Sequence, residues 1–274
     1  MCDIKKYRCV NCGKGHSALY KTYGPSVLKL TKCDKCKGIV DKYIEYDPVI
    51  VMIDLVLMSK EAQRHVLYNT EFESYWKLFI ILVMLETYGV WHSDSLFNLA
   101  VDTVCDISNN TDYKTNTNFT IRIAEYWKSK CWEYKQDHRG DNNDLFIWEK
   151  DFYIQFLATF SGLLVFLVLL HSIMSIVKLR LMRKEVSLRL VLKSFSLANM
   201  SVVFTLPTLV WSADAFRPLH YALVFVYSFN VFTNVFTVIY ECPLLVTVIT
   251  LLLCNCAKYV TSFHAMLLFR GQIL

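Results

Sequence analysis

The sequence has no internal repeat, no low-complexity tract and no glycine-rich phosphate loop; its 274 residues include eight glycines and five prolines. These absences leave no basis for a solenoid, a disordered linker or a P-loop nucleotide site. No apolar run precedes the first cysteine pair, since the chain opens Met1-Cys2-Asp3-Ile4-Lys5-Lys6, so no cleavable signal peptide is predicted. A nucleophile paired with a base, a carboxylate pair, or histidines placed for catalytic metal are also not apparent. Asp47 and Asp54 stand about two helical turns apart, and Asp47 is better suited to capping a helix.

Apolar and aromatic residues are plentiful instead, at 54% and 15% with a mean hydropathy of +0.32. The expected fold class is a multi-pass α-helical membrane protein of four to five spans, carrying a small N-terminal zinc ribbon and an interfacial helical hairpin. The ribbon, residues 1–46, rests on two Cys-x-x-Cys pairs, Cys9/Cys12 and Cys33/Cys36. Doubled pairs supply the four soft ligands that tetrahedral zinc takes at about 2.3 Å. A closed four-cysteine site leaves no open coordination position, so the expected Zn2+ is structural. Gly13 and Gly38 let the backbone turn so that amides face the sulfurs, and lysines 14, 32, 35 and 37 offset the thiolate charge. Two disulfides are the rival reading, but they would require an oxidising compartment. His16 lies near enough to be a fifth ligand and reads more simply as a loop histidine.

Val40 to Tyr46 alternates as a last strand of the ribbon. Asp47-Pro48 then predicts a capped helix from Val49 to Met58, too apolar for water and too short to span. Ser59 is the expected cap of a second short helix, so that residues 47–70 form a hairpin lying at the membrane surface or packing on the ribbon. The cysteine pairs, Asp41-Lys42-Tyr43-Ile44-Glu45-Tyr46, Ile53-Asp54, Arg64-His65 and Tyr68-Asn69 together resemble the N-terminal homology domain of the Arv family, over about residues 7–70. That resemblance implies an endoplasmic reticulum membrane protein of sterol and sphingolipid homeostasis and of glycosylphosphatidylinositol-precursor supply. Tyr43, Glu45, Tyr46, Ile53, Asp54, Arg64, His65, Tyr68 and Asn69 are the candidate lipid or partner surface.

Residues 71–274 form the transmembrane domain. A first span is expected from Tyr75 to Trp91, with Lys77 and Glu86 near its ends. The polar loop 93–151 holds two glycosylation sequons, at Asn109 and Asn118, and two cysteines, Cys105 and Cys131. The basic N-terminus and the basic 178–193 loop predict a cytosolic N-terminus and cytosolic 178–193 loop, with 93–151 luminal. The second span is Phe152 to Val177. The third runs from about Ser194 to Trp211, with Pro207 as a kink. Tyr221 to Ala257, with Glu241 its one charge, is too long for one helix across roughly 30 Å and should split near Glu241-Cys242-Pro243. Asn199, Asn230 and Asn234 are either a polar intramembrane path or interhelical glue. Cys254 and Cys256 are acylation candidates or plain core residues.

The leading functional expectation is a non-enzymatic mediator of sterol and lipid homeostasis. Its expected partners are membrane lipids (sterol, sphingolipid or glycosylphosphatidylinositol precursor) and lipid-synthesising enzymes, with no nucleic acid. The alternatives are a scaffold stabilising such an enzyme, and a membrane-bound lipid transferase.

Overall fold

The computed structural model describes residues 7–24, 27–92, 145–180, 186–207 and 217–273. The chain divides into two compact units. The first comprises Met1–Phe79, His171–Met200 and Ser228–Leu251; the second comprises Ile80–Leu170, Ser201–Tyr227 and Leu252–Leu274.

In the first unit, β1 (Tyr7–Arg8) pairs antiparallel with β2 (Gly15–His16), and β3 (Tyr20–Gly24) pairs antiparallel with β4 (Val27–Leu30). Cys9, Leu19, Cys33 and Val40 form the small core between them, with Tyr7, Cys12 and Ile44 packed against it. The expected strand over Val40 to Tyr46 is not there; beyond the Lys32–Ile39 bridge these residues bend and turn. The reason is Asp41, whose carboxylate accepts from Tyr43 N at 3.0 Å and folds the backbone locally instead of leaving it for a ladder.

Helix α1 spans Pro48–Val56, with Asp47 as its cap accepting from Val49 N at 2.9 Å. Both the cap and the proline start follow the sequence expectation. Leu57 to Ser59 turn the chain through a left-handed Met58 (φ 59°) into α2, Lys60–Arg64, which runs on as one wider π-type turn over His65–Asn69. Ser59 occupies the cap position of α2 without a side-chain capping bond. Val51 and Leu55 of α1 pack onto Val10, Tyr43 and Ala62, which seats the hairpin on the ribbon.

The remaining helices are α3 (Tyr75–Trp91), α4 (Leu145–Arg180), α5 (Leu188–Asn199, extended by a 3-10 segment Met200–Thr205), α6 (Arg217–Tyr240) and α7 (Leu244–Ile273). Four described segments are long and apolar enough to cross a membrane: Glu149–Val177, Leu188–Thr205, Leu219–Tyr240 and Leu244–Phe269. The protein is thus a multi-pass helical membrane protein. Helix α3 covers the expected first span but has 17 residues, about 26 Å at 1.5 Å each. The hydroxyls of Thr87 and Thr233 bond to carbonyls one turn back, those of Val83 and Phe229, and so bring no unsatisfied donor into lipid.

Several boundaries differ from expectation. Helix α1 stops at Val56, short of Met58, where the chain turns left-handed, and α4 begins at Leu145, so residues 145–151 belong to a helix and not to the loop expected over 93–151. Helix α5 begins at Leu188, capped by Ser187, so Arg189 and Lys193 belong to a helix and not to a loop reaching residue 193. Helix α7 does not end at Ala257; it continues to Ile273, because Lys258 is neutralised inside the second unit by Glu86. Trp211, the two sequons, Cys105 and Cys131 lie outside the described residues.

Candidate functional site

The two cysteine pairs adopt the same local structure. Cys9 N donates to Lys14 O (2.8 Å) and Gly13 N to Cys9 O (2.9 Å); Cys33 N donates to Gly38 O (2.8 Å) and Lys37 N to Cys33 O (2.9 Å). In each turn the residue four beyond the first cysteine is left-handed, Gly13 at φ 74° and Lys37 at φ 62°. The second turn therefore relies on a strained lysine rather than on Gly38. Gly38 serves close approach instead, since a Cβ there would stand 3.1 Å from Asn11 Nδ2.

The four sulfurs lie within 4.8 Å of one another. Cys9 to Cys36 measures 3.7 Å and Cys12 to Cys33 measures 3.6 Å, close to the edge of about 3.8 Å for a sulfur tetrahedron with 2.3 Å metal bonds. These cysteines could hold a metal ion. Burial works against the Cys33 thiolate, but the amides of Cys36 and Lys35, with His16 and Cys12, bring its thiol down to about 5. Burial drives Cys9 the other way, up to about 12, against the pull of the Cys12 and Asn11 amides. His16 is not a bystander: it is buried, with Nε2 3.3 Å from Cys33 Sγ. The sequence put it near the pairs, but the β1–β2 register that aims it inward is visible only in the fold.

Most of the candidate surface residues face inward. Asp41 is fully buried and accepts from His65 Nδ1 at 2.7 Å and from Asn69 Nδ2 at 2.6 Å, besides Tyr43 N. Asn69 also pairs with the backbone of Arg8, Oδ1 accepting from Arg8 N (2.9 Å) and Nδ2 donating to Arg8 O (2.8 Å). Arg64 Nη1 donates to Val10 O (2.7 Å) and Asn11 O (2.8 Å), and Tyr43 Oη donates to Asp54 at 2.7 Å. Tyr68 lies beneath the Arg8 guanidinium, 4.3 Å from ring centroid to Cζ. Ile53, Tyr46 and Glu45 are exposed. With them on the outside stand Val49 (54% exposed), Met52 (58%), Val56 (49%) and Leu57 (69%), an apolar face turned away from the ribbon.

The head is tied to membrane helices within its own unit. Lys193 Nζ of α5 donates to Leu67 O (3.1 Å) and Thr70 O (3.2 Å) at the end of the hairpin, and Arg8 Nη1 donates to Glu241 at 3.0 Å. Sequence reasoning missed Arg8, Asp41, Lys193 and Glu241 as contributors. Glu241 had the clearest signal, as the lone charge in a long apolar stretch. Asn199 is buried with its Nδ2 unbonded, Asn234 is half-buried and Asn230 is exposed; no hydrogen bond joins the three among the described residues.

The Arv1-like family model matches residues 8–233. The chain is 28% identical to the human protein named Protein ARV1 over 211 residues, 76% of this chain and 64% of that protein. It is 28% identical to the Bos taurus Protein ARV1 over 229 residues, 81% of this chain and 65% of the relative. A Candida albicans Protein ARV1 is 43% identical over 67 residues, 24% of this chain and 23% of the relative. The chain thus spans somewhat less than two thirds of the human and bovine proteins. No solved structure matches it.

Proposed function

From the premise that this chain belongs to the Arv1-like family, we propose that it is a non-enzymatic lipid-handling protein of the endoplasmic reticulum membrane, with its N-terminal head on the cytosolic side. Its role in this reading is intracellular sterol transport, sphingolipid balance and supply of glycosylphosphatidylinositol-anchor precursors, the functions the Arv resemblance implies. The carrying observation is helix α1. Its ribbon-side residues Val51 and Leu55 are committed to packing, while Val49, Met52, Ile53, Val56 and Leu57 are about half exposed or more. A helix of this kind is stable in the boundary between headgroups and acyl chains, where its outer face leaves water.

The ion held by the cysteines is zinc in this reading. Four thiolates in two tight turns at tetrahedral spacing match its structural sites, and such a metal stabilises the head without offering a coordination position to substrate. A non-catalytic role is further supported by the fate of the Asp41–His65 pair, the arrangement best suited to proton transfer. Both groups are buried and engaged in holding the hairpin to the ribbon.

The test uses the full-length protein in microsomes, with photoactivatable sterol and photoactivatable phospholipid. Crosslinks mapping to residues 47–70 or to the spans support lipid handling. Turnover of a defined lipid by the purified protein would replace it with the transferase reading, and absence of any lipid crosslink would favour a scaffold.

A further inference from the structure

A polar cavity of about 350 Å³ opens within the first unit, beside the point where α6 gives way to α7. Arg8, Arg64, Tyr68, Thr237 and Glu241 all line it, and it is at the small end of the range for ligand sites. Three features say what would enter. First, two guanidinium groups face one carboxylate, an excess of positive charge. Arg64 is held in place by its Nη1 bonds to Val10 O and Asn11 O, and its remaining donors have no described partner. Second, the Tyr68 hydroxyl is buried without a hydrogen-bond partner among the described residues, a condition that is uncommon and asks for an acceptor. Third, Glu241 holds a left-handed backbone (φ 51°) that a non-glycine residue adopts at a cost. Its side chain is 55% exposed, and its bond to Arg8 is a solvent-facing ion pair of the weak kind.

We infer that this cavity binds a phosphate group, with Arg8 and Arg64 supplying the charge, the Tyr68 hydroxyl a further donor, and Glu241 holding Arg8 in place until the phosphate displaces it. Guanidinium groups present paired donors that match phosphate oxygens. The cavity adjoins the ends of α6 and α7, two segments apolar enough to cross a membrane, which is the depth of lipid headgroups. The phosphate of a lipid headgroup and a free phosphate share this chemistry. The inference rests on the lipid-handling reading only for which of these sources occupies the site.

The experiment titrates the full-length protein, in a sugar-headed detergent, with dihexanoyl phosphatidic acid and separately with inorganic phosphate, following binding by calorimetry. Wild type should bind, more weakly as salt is raised. Arg8→Gln should weaken binding about tenfold, the effect of one lost charge-assisted contact, and Tyr68→Phe should weaken it several-fold. Glu241→Gln should tighten binding several-fold, because the phosphate no longer competes for Arg8. Opposite signs from the two ends of one salt bridge are what a purely structural pair would not give. Retained metal and unchanged melting serve as the folding check, and Tyr68→Phe and Glu241→Gln keep the test decisive if Arg8→Gln misfolds. Tight binding of the lipid but not of inorganic phosphate assigns a headgroup; equal binding assigns free phosphate. Failure of wild type to bind either probe, or a Glu241→Gln effect of the same sign as Arg8→Gln, overturns the site. Photoactivatable sterol crosslinking retained in that case would leave the wider lipid-handling role standing.

Discussion

His65 Nδ1 lies 2.7 Å from Asp41 Oδ2, and this buried contact is the centre of the joint between the cysteine head and its helical hairpin. Three groups converge on the same carboxylate: the Tyr43 amide, the His65 ring and the Asn69 amide. A fully buried acceptor serving three donors is costly to remove, because each donor is then left without a partner in a dry environment.

Asp41→Ala should therefore destabilise the joint by roughly 1–3 kcal/mol for each donor stranded, with incomplete additivity. The cysteine cluster does not use Asp41, so metal content should survive while residues 47–70 become protease-sensitive. Limited proteolysis with metal analysis checks this. Intact protease resistance in the variant would show that the joint is held elsewhere.

His16→Ala should lower the affinity of the four cysteines for a metal ion about 10- to 100-fold without abolishing binding, as expected for loss of an outer partner that bonds a ligand sulfur. Competition against a chromophoric chelator gives the number. Stoichiometric loss of metal would make His16 a ligand, and no change would return it to an ordinary core position.

Local signals were the legible ones. Asp47-Pro48 announced the start of α1 because cap and proline act on their own backbone, and the break at 241–243 followed from the length limit a bilayer sets. Asp41 was misread inside an alternating stretch, since alternation is silent about a carboxylate that bonds its neighbour's amide. Lys37 in the left-handed region was hidden by the glycine beside it. The bonds from Arg8 to Glu241 and from Lys258 to Glu86 join residues far apart in sequence, and nothing in either local stretch specifies its distant partner. The candidate surface residues carried the resemblance, yet Arg64, His65 and Asn69 are spent on internal bonds.

The metal-free head should lose stability on acidification. Cys33 has its thiol lowered from the ordinary 9.0 to about 5. The unfolded chain therefore binds the extra proton throughout pH 5 to 9, and stability rises with pH across that window and is lost as pH falls through about 5. Cys9, raised to about 12, has the opposite effect only above about pH 9. Protease resistance of the head in chelator, measured from pH 9 down to pH 5, should decline steadily; a flat profile would contradict the assignment of the charge to Cys33.

In the second unit, Lys258 on α7 bonds Glu86 on α3, and both side chains are largely buried. Glu86→Gln strands an ammonium group in a low-dielectric interior, which costs roughly 3–5 kcal/mol when one partner of a buried pair is removed. Glu86→Gln combined with Lys258→Met should recover much of that loss. Gly162→Ala should also destabilise, since its Cβ would stand 2.7 Å from the Lys258 carbonyl oxygen. Melting of the three variants in detergent is the measurement, and a double variant no better than Glu86→Gln would show that the loss does not come from a stranded ammonium group.

Helix α1 offers a separation of folding from membrane contact within nine residues. Leu55 packs on Val10, Tyr43 and Ala62, so Leu55→Asp buries a carboxylate against the ribbon and should unseat the hairpin. Ile53 is 53% exposed, so Ile53→Asp meets no core and should leave metal content and melting within about 0.5 kcal/mol of wild type, the usual range for surface changes. What it should alter is the lipid contact, because a carboxylate on the outer face opposes insertion among acyl chains. A brominated phospholipid in nanodiscs would read this through a fluorophore attached at position 57, where Leu57 is 69% exposed. Strong quenching in the Leu57-labelled protein that falls several-fold with Ile53→Asp, while Asn69 to Arg8 contacts keep the head intact, places α1 at the membrane. Quenching that is weak from the outset would mean that this face meets another protein, and lipid handling would then have to be sought in the spans.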